Sequence, residues 1–311
     1  PPMLDSPSFQ LFCRKFHSEE ACAEALFQAR WPDGFRCPVC GRSSFYRIRT
    51  RRLPLYECRS CRHQTSVTAG TILEKSTTPL TKWFQAMFLI AQPDGISATR
   101  LSQILQVTYK TAWLIARKIR RALQKADERD PLAGVVHIYH FRYGYDDYLD
   151  AGQPLIAGVS LDGSLQEVRQ VKIKQPHPDH VVNGFKRRVE KPGVKSFIQN
   201  HLHPRAISLV YPYRRPRILM QMGRQVGEWL NRTFCGIGPK HLQAYLDEFC
   251  FRLNCGYRGV GAFGPAVEWC ARTSAATYRE LTRSKPVLPA PWLAWGSKAK
   301  WKGYHLSLWA E

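Results

Sequence analysis

The sequence predicts a multidomain α/β protein: a helix and a zinc ribbon first, a helix-turn-helix next, and then a domain built on a mixed sheet. Three observations carry that expectation. Cys37/Cys40 and Cys58/Cys61 form two Cys-x-x-Cys pairs with 17 residues between them, the spacing of a four-thiolate zinc site. Residues 80–125 place apolar side chains at helical intervals. Beyond the charged, proline-containing break "KADERDPLAG", short apolar runs alternate with helical stretches, the pattern of an α/β domain.

Taken in order, "SEEACAEALFQAR" is a short helix. Ser18 is its N-cap, acids occupy its first turn, and Ala21, Ala25, Leu26 and Ala29 form its apolar stripe. "WPDG" ends it in a turn. The ribbon follows, with "FYRIR" and "LPLYEC" as hairpin strands between the two cysteine pairs. Four thiolates leave no open position for water, so zinc here holds a fold and does not catalyse. Arg47, Arg49, Arg51 and Arg52 stand on the hairpin, either as a solvated face or as phosphate contacts, and His63 is expected as a surface or DNA-facing residue, not a zinc ligand. "LTKWFQAMFLIAQ", "SATRLSQIL", a short turn at Gln106-Val107 and "TYKTAWLIARKIRRALQK" make the helix-turn-helix plan. In the last helix Ala112, Ile115, Ile119 and Ala122 face the core. Tyr109, Lys110, Trp113, Arg117, Arg120 and Arg121 are the candidate DNA face, although a plain helical packing unit with Trp113 in its core fits the same pattern.

After the break, "GVVHIYHF", "PLIAGVSL" and "GSLQEVRQVKI" are three strands, the third entered through an Asp162-Gly163 turn. "HVVNGFKRRV" is expected to be helical, "RAISLVYPY" to be a fourth strand, and "RQVGEWLNRTF" and "PKHLQAYLDEFCFRLN" to be helices. The expected boundaries are 15–75 for helix and ribbon, 76–129 for the helix-turn-helix, 130–275 for the mixed-sheet domain and 276–311 for a Trp-rich C-terminal extension with Trp292, Trp295, Trp301 and Trp309.

Charge bounds the partners. The 311 residues hold 46 Lys plus Arg against 24 Asp plus Glu, a formal +22 divided nearly evenly between residues 1–130 and 131–311. Such a surface favours a polyanion, with nucleic acid first. Residues 172–217 add 11 basic side chains against Asp179 and Glu190, which makes Lys186, Arg187, Arg188, Arg214 and Arg215 further DNA-contact candidates. No run approaches the ~20 apolar residues of a membrane span, and the N-terminal stretch lacks a signal peptide's apolar core. A cytoplasmic location is the expectation. The remaining cysteines, Cys13, Cys22, Cys235, Cys250, Cys255 and Cys270, are expected as buried thiols.

The segments "WPDGFRCPVCG", "YECRSCRHQTSVTAGTILEKSTTPLTKWF", "GISATRLSQILQVTYKTAW" and "GIGPKHLQAYLDEFCFRLN" together resemble bacterial insertion-sequence transposases of the zinc-ribbon, ISXO-like DDE type over roughly residues 15–270. The resemblance implies an RNase H-like, integrase-type catalytic domain from about residue 132, with DNA-end recognition by the ribbon and helix-turn-helix. It also implies dimers or larger nucleoprotein assemblies and a nucleoid-associated bacterial setting. Enzymes of that type cut and join DNA with three acidic or polar residues around two divalent ions. Aligned to that pattern, His137, Tyr139 and His140 fall where the first strand carries acids, with Tyr139 at the catalytic aspartate. Val210 or Tyr211 falls at the second position, and Gln225 near the third. The metal-anchoring positions are thus degenerate. His137 and His140 point to opposite sides of a strand and form no joint metal site.

The expectation is therefore a transposase-derived, sequence-directed binder of double-stranded DNA without cleavage or strand transfer, carrying structural Zn²⁺ and no membrane attachment. One alternative is an active transposase with Mg²⁺ on relocated carboxylates drawn from Asp146, Asp147, Asp150, Asp162, Glu228, Asp247 and Glu248. Another is an RNA-binding or protein-interaction module, to which the Trp-rich C-terminus lends some weight.

Overall fold

In the computed structural model, residues 6–144, 152–163, 167–182, 187–211, 216–283 and 286–288 are described. They form two compact units, residues 1–122 with 261–281, and residues 123–260 with 282–311. Lys186, Arg214, Arg215, Asp146, Asp147, Asp150 and the four tryptophans of the C-terminal extension lie outside the described residues.

The first unit opens with α1 (Pro7–Lys15) and α2 (Glu19–Arg30). Ser18 caps α2, its hydroxyl accepting from the Ala21 N–H at 3.2 Å. The buried stripe of α2 is Cys22, Ala23 and Leu26, one residue round from the alanine stripe expected from the sequence. The ribbon strands β1 (Phe45–Ile48), β2 (Leu55–Cys58) and β3 (Gln64–Ser66) form one antiparallel sheet in the order β1-β2-β3. Phe27 of α2 and its C-cap residue Trp31 pack with Phe35, Phe45 and Tyr56 of the ribbon, with ring centroids 4.9–6.0 Å apart, so an aromatic core fastens the hairpin to the helix.

Next come α3 (Leu80–Ala91), α4 (Ala98–Leu105) and α5 (Tyr109–Glu128). Gln106 closes α4 in a left-handed conformation, φ 50°, and the hydroxyl of Thr108 accepts from the Thr111 N–H at 3.2 Å to start α5. Ala112, Ile115, Ile119 and Ala122 are all buried, as their spacing predicts. Two further helices, α9 (Phe263–Arg272) and α10 (Tyr278–Thr282), follow much later in the chain. Phe263 meets Phe12 edge-on at 5.0 Å, which brings α9 into the first unit. The expected domain limit at residue 275 therefore differs from the observed one near 260.

The second unit is built on a four-stranded sheet in the order β6-β5-β4-β9. Its strands are β4 (Val135–Tyr143), β5 (Gln153–Leu161), β6 (Val168–Lys174) and β9 (Ile207–Val210). The first three are antiparallel neighbours, and β9 runs parallel to β4. Between β6 and β9 the chain forms a small antiparallel pair, β7 (Val181–Val182) with β8 (Arg188–Val189), and the crossover helix α6 (Lys191–His201). "HVVNGFKRRV" is thus a two-strand excursion, not a helix. Its β-branched Val181 pairs with Val189 and Val182 with Arg188, and the helix begins later, at the proline-containing first turn of α6.

Period-two alternation along β4 divides the core. Val136 and Ile138 face Phe197 and Leu202 around α6. Tyr139, Phe141 and Tyr143 face the opposite cluster, which includes Leu219, Met222, Val226 and Trp229 of α7 (Arg217–Phe234) and Leu242, Leu246 and Phe249 of α8 (Pro239–Tyr257). Gly158 of β5 makes room for this packing, since a Cβ there would lie 2.6 Å from Leu132 Cδ1 and 3.0 Å from the Phe197 ring.

Four buried charges tie β6 to its surroundings. Lys174 donates to Asp127 Oδ2 and to Asp247 Oδ1, both at 2.6 Å, and Lys172 donates to Asp127 Oδ2 at 2.9 Å. Burial alone would neutralise Lys174, but Asp247 and Asp127 raise its pKa. Beside them, burial together with the Lys174 and Lys172 charges depresses His201 to about 4, so the imidazole stays neutral at physiological pH. Replacing Lys174 by Met leaves Asp127 and Asp247 under-compensated in the interior. The expected cost is about 3–5 kcal/mol, read as a lowered urea midpoint with unchanged m-value.

Candidate metal centre and nucleic-acid interface

Two turns of the same design hold the four cysteines. In the first, the Gly41 N–H donates to Cys37 O at 2.9 Å and the Cys37 N–H to Arg42 O at 2.9 Å. In the second, the Arg62 N–H donates to Cys58 O and the Cys58 N–H to His63 O, both at 3.0 Å. The residue after each second cysteine is left-handed, φ 72° at Gly41 and 59° at Arg62. Each turn therefore folds its two sulfurs onto one side.

Cys37 Sγ lies 3.6 Å from Cys61 Sγ, and Cys40 Sγ 3.5 Å from Cys58 Sγ. All four ligand atoms fall within 4.8 Å of one another. A zinc tetrahedron with bonds of about 2.3 Å has edges of about 3.8 Å, so the donor set fits Zn²⁺ closely. The turn N–H of Cys40 lowers the Cys37 pKa and those of Cys61 and Ser60 lower Cys58 to about 6, whereas, despite the His63 N–H, burial and the neighbouring thiols push Cys61 up to about 12. Zinc here is structural. Of the other cysteines, Cys22, Cys250, Cys255 and Cys270 are buried, Cys13 is partly so, and Cys235 is exposed, contrary to the expectation of burial for all six.

The hairpin arginines gather beside α2. Arg47, Arg49, Arg51 and Arg52 line a cavity of about 350 Å³ with Glu20, Glu24 and Pro54. Arg47 pairs with Glu24 at 3.0 Å and Arg52 with Glu19 at 3.6 Å, while Arg49 and Arg51 are exposed. His63 is also exposed.

On α5, Tyr109 and Lys110 are exposed, and Trp113, Arg117 and Arg121 are half-buried. Arg117 Nε donates to Leu281 O at 3.2 Å. Arg120 departs from the expected DNA face: it is 2% exposed. It follows Ala116 by four residues and precedes Leu123 by three, so it belongs to the core stripe; that spacing was available in the sequence. Arg187 is likewise buried, whereas its neighbour Arg188 is exposed.

In the second unit lie the residues singled out from the sequence, Tyr139, Val210 or Tyr211, and Gln225. Tyr139 packs against the α7–α8 cluster. The register pairs Val210 with Ile138, which puts Val210 on the α6 face, away from Tyr139. Tyr211 is the residue that shares the face of His137 and Tyr139. Tyr211 Oη lies 2.8 Å from His137 Nδ1, and the two rings stack with centroids 5.4 Å apart. Burial lowers the His137 pKa. Gln225 is exposed on α7, next to the buried Val226. His140 is half-buried, and burial and Arg188 lower its pKa.

The architecture defines a zinc-ribbon protein with a separate mixed-sheet unit. Residues 17–64 match the family described as transposase zinc-ribbon domain, IS1595 type. Over 130 residues, 41% of the chain, the sequence is 33% identical to a protein described as an uncharacterized protein in transposable element ISH50, from Halobacterium salinarum. That stretch spans 43% of the relative's length. No solved structure matches the chain. The chain is insertion-sequence transposase-like. No helix among the described residues is long and apolar enough to cross a membrane.

Chelation of zinc at neutral pH is expected to unfold residues 37–66 and to quench protection of their amides from hydrogen exchange, while β4–β6 retain theirs. Cys58→Ser should do the same and release one zinc per chain by colorimetric assay.

Proposed function

We propose that the protein is a transposase-derived, sequence-directed DNA-binding protein that holds duplex DNA without cleaving or joining it. The reading has three structural parts: the zinc ribbon, a helix-turn-helix formed by α4 and α5, and an RNase H-like sheet. Two antiparallel pairings followed by a strand parallel to the first, in the order β6-β5-β4-β9, support the third. The three-residue connection through left-handed Gln106 supports the second. The formal charge of +22 supports DNA as partner through counterion release.

The observation that carries the absence of cleavage is the His137–Tyr211 pair. Two-metal strand transfer needs carboxylates converging where the parallel strands meet. At that junction β4 and the end of β9 present an imidazole hydrogen-bonded to a phenol, with Tyr139 alongside. These groups do not match the octahedral oxygen set that Mg²⁺ demands. Of the alternative acids, Asp247 pairs with Lys174, Glu248 with Arg252, and Asp162 Oδ1 accepts from the Glu167 N–H at 3.2 Å, while Glu228 is exposed on α7.

The zinc-loaded chain is expected to bind duplex DNA with affinity falling steeply as salt rises. Lys110→Ala and Arg51→Ala should each reduce the slope of log K against log salt by about one. Incubation with Mg²⁺ or Mn²⁺ should leave the DNA intact on a denaturing gel. Metal-dependent strand breaks would return the protein to the transposases, and salt-insensitive binding or a preference for single-stranded RNA would remove the DNA reading.

A further inference from the structure

We infer that the cleft between the start of α5 and α10 binds one unpaired nucleobase of DNA, stacked on an exposed tyrosine face. This rests on the DNA-binding reading and specifies which DNA structure the helix end recognises. The cleft has a volume of about 570 Å³ and is lined by Tyr109, Lys110, Thr111, Trp113, Leu114 and Tyr278, within the ~300–1,000 Å³ range of small-ligand sites.

Its aromatic walls are open to solvent. Tyr109 is 55% exposed and Tyr278 64% exposed, although phenyl faces left in water forgo burial that a core position would give them. Trp113 and Tyr278 stand 6.2 Å apart with their planes inclined by 56°, so the half-buried indole backs the exposed Tyr278 ring. A planar base entering the cleft stacks on the exposed tyrosine face instead of passing between the two rings.

Tyr278 is held in place from several directions. Thr277 and Glu280 bond reciprocally, the Thr277 N–H donating to Glu280 Oε2 at 2.7 Å and the Glu280 N–H to Thr277 Oγ1 at 3.2 Å, a capping box that starts α10. Leu281 is buried, and its carbonyl accepts from Arg117 Nε. The platform is therefore fixed before any ligand arrives, which lowers the entropic cost of binding.

Charge and shape select the occupant. Lys110 stands at the rim to meet a phosphate, and the chain's net charge is +22. An aliphatic peptide would find only Leu114 among apolar aliphatic side chains in the lining. Bases within a duplex are already stacked on one another, so the base that fits is one freed from pairing at a DNA end, a bulge or a flipped position.

The test uses the full zinc-loaded chain and two DNAs: one duplex fully paired, and the same duplex with a single unpaired 2-aminopurine. The unpaired DNA should bind about tenfold tighter, the size of one stacking contact, with quenched 2-aminopurine emission. Tyr278→Ala should abolish the preference and the quenching while leaving affinity for the paired duplex unchanged, and Tyr278→Trp should retain both. Equal affinities without quenching, or a preference that survives Tyr278→Ala, would overturn the inference while leaving duplex binding in place. Failure to bind either DNA would overturn the DNA-binding reading and the nucleobase site with it.

Discussion

Parallel pairing of β4 with β9 is the constraint on which the second unit depends. Antiparallel neighbours can be joined by a tight turn, but two parallel strands need a crossover, and here α6 supplies it. The crossover buries Phe197 against Val136, Ile138 and Ile156 and closes one side of the sheet. It also fixes the register that sets Tyr211 beside His137. Strands β4 and β9 thus bring together side chains 74 positions apart in sequence. Under the proposed RNase H-like reading, that junction is where metal-bound chemistry would occur, and its contents bear on catalysis versus binding.

The edge strand β6 is organised by charge as well as by apolar burial. Lys172 and Lys174 alternate with Val171 and Ile173 along β6, so one face of the strand enters the α7–α8 core while the other meets Asp127. Asp247 completes the set from α8. Two lysines and two aspartates balance in charge, which is what permits their burial. The same arrangement withdraws Asp247 from any role as a metal ligand, so a structural network and the functional reading bear on the same residue.

Much of this was legible in the sequence. The Cys-x-x-Cys spacing announced the ribbon because tetrahedral zinc geometry tolerates few alternatives. The periodicity of α5 announced its buried face, and the Asp162-Gly163 turn announced the β5–β6 hairpin. What was not legible depended on partners distant in sequence. Val181, Val182 and Val189 read as part of a helix until their pairing is seen, and α9 joins the first unit through aromatic contacts with residues some 250 positions earlier, such as Phe12 with Phe263. Arg120 and Arg187 were assigned to a surface from their charge alone, whereas burial is decided by where their helix or strand faces. Tyr278 escaped notice because a five-residue helix carries too little periodicity to mark a face.

The central claim is that the β4–β9 junction holds no divalent metal while the protein still holds DNA. Titration of Mn²⁺ into the zinc-loaded chain, followed by EPR with and without duplex DNA, tests it most directly. The account predicts no site tighter than millimolar in either state, with DNA bound throughout. A tight Mn²⁺ site that disappears when Asp146, Asp162 or Glu228 is changed would contradict it and place a working metal centre in the second unit.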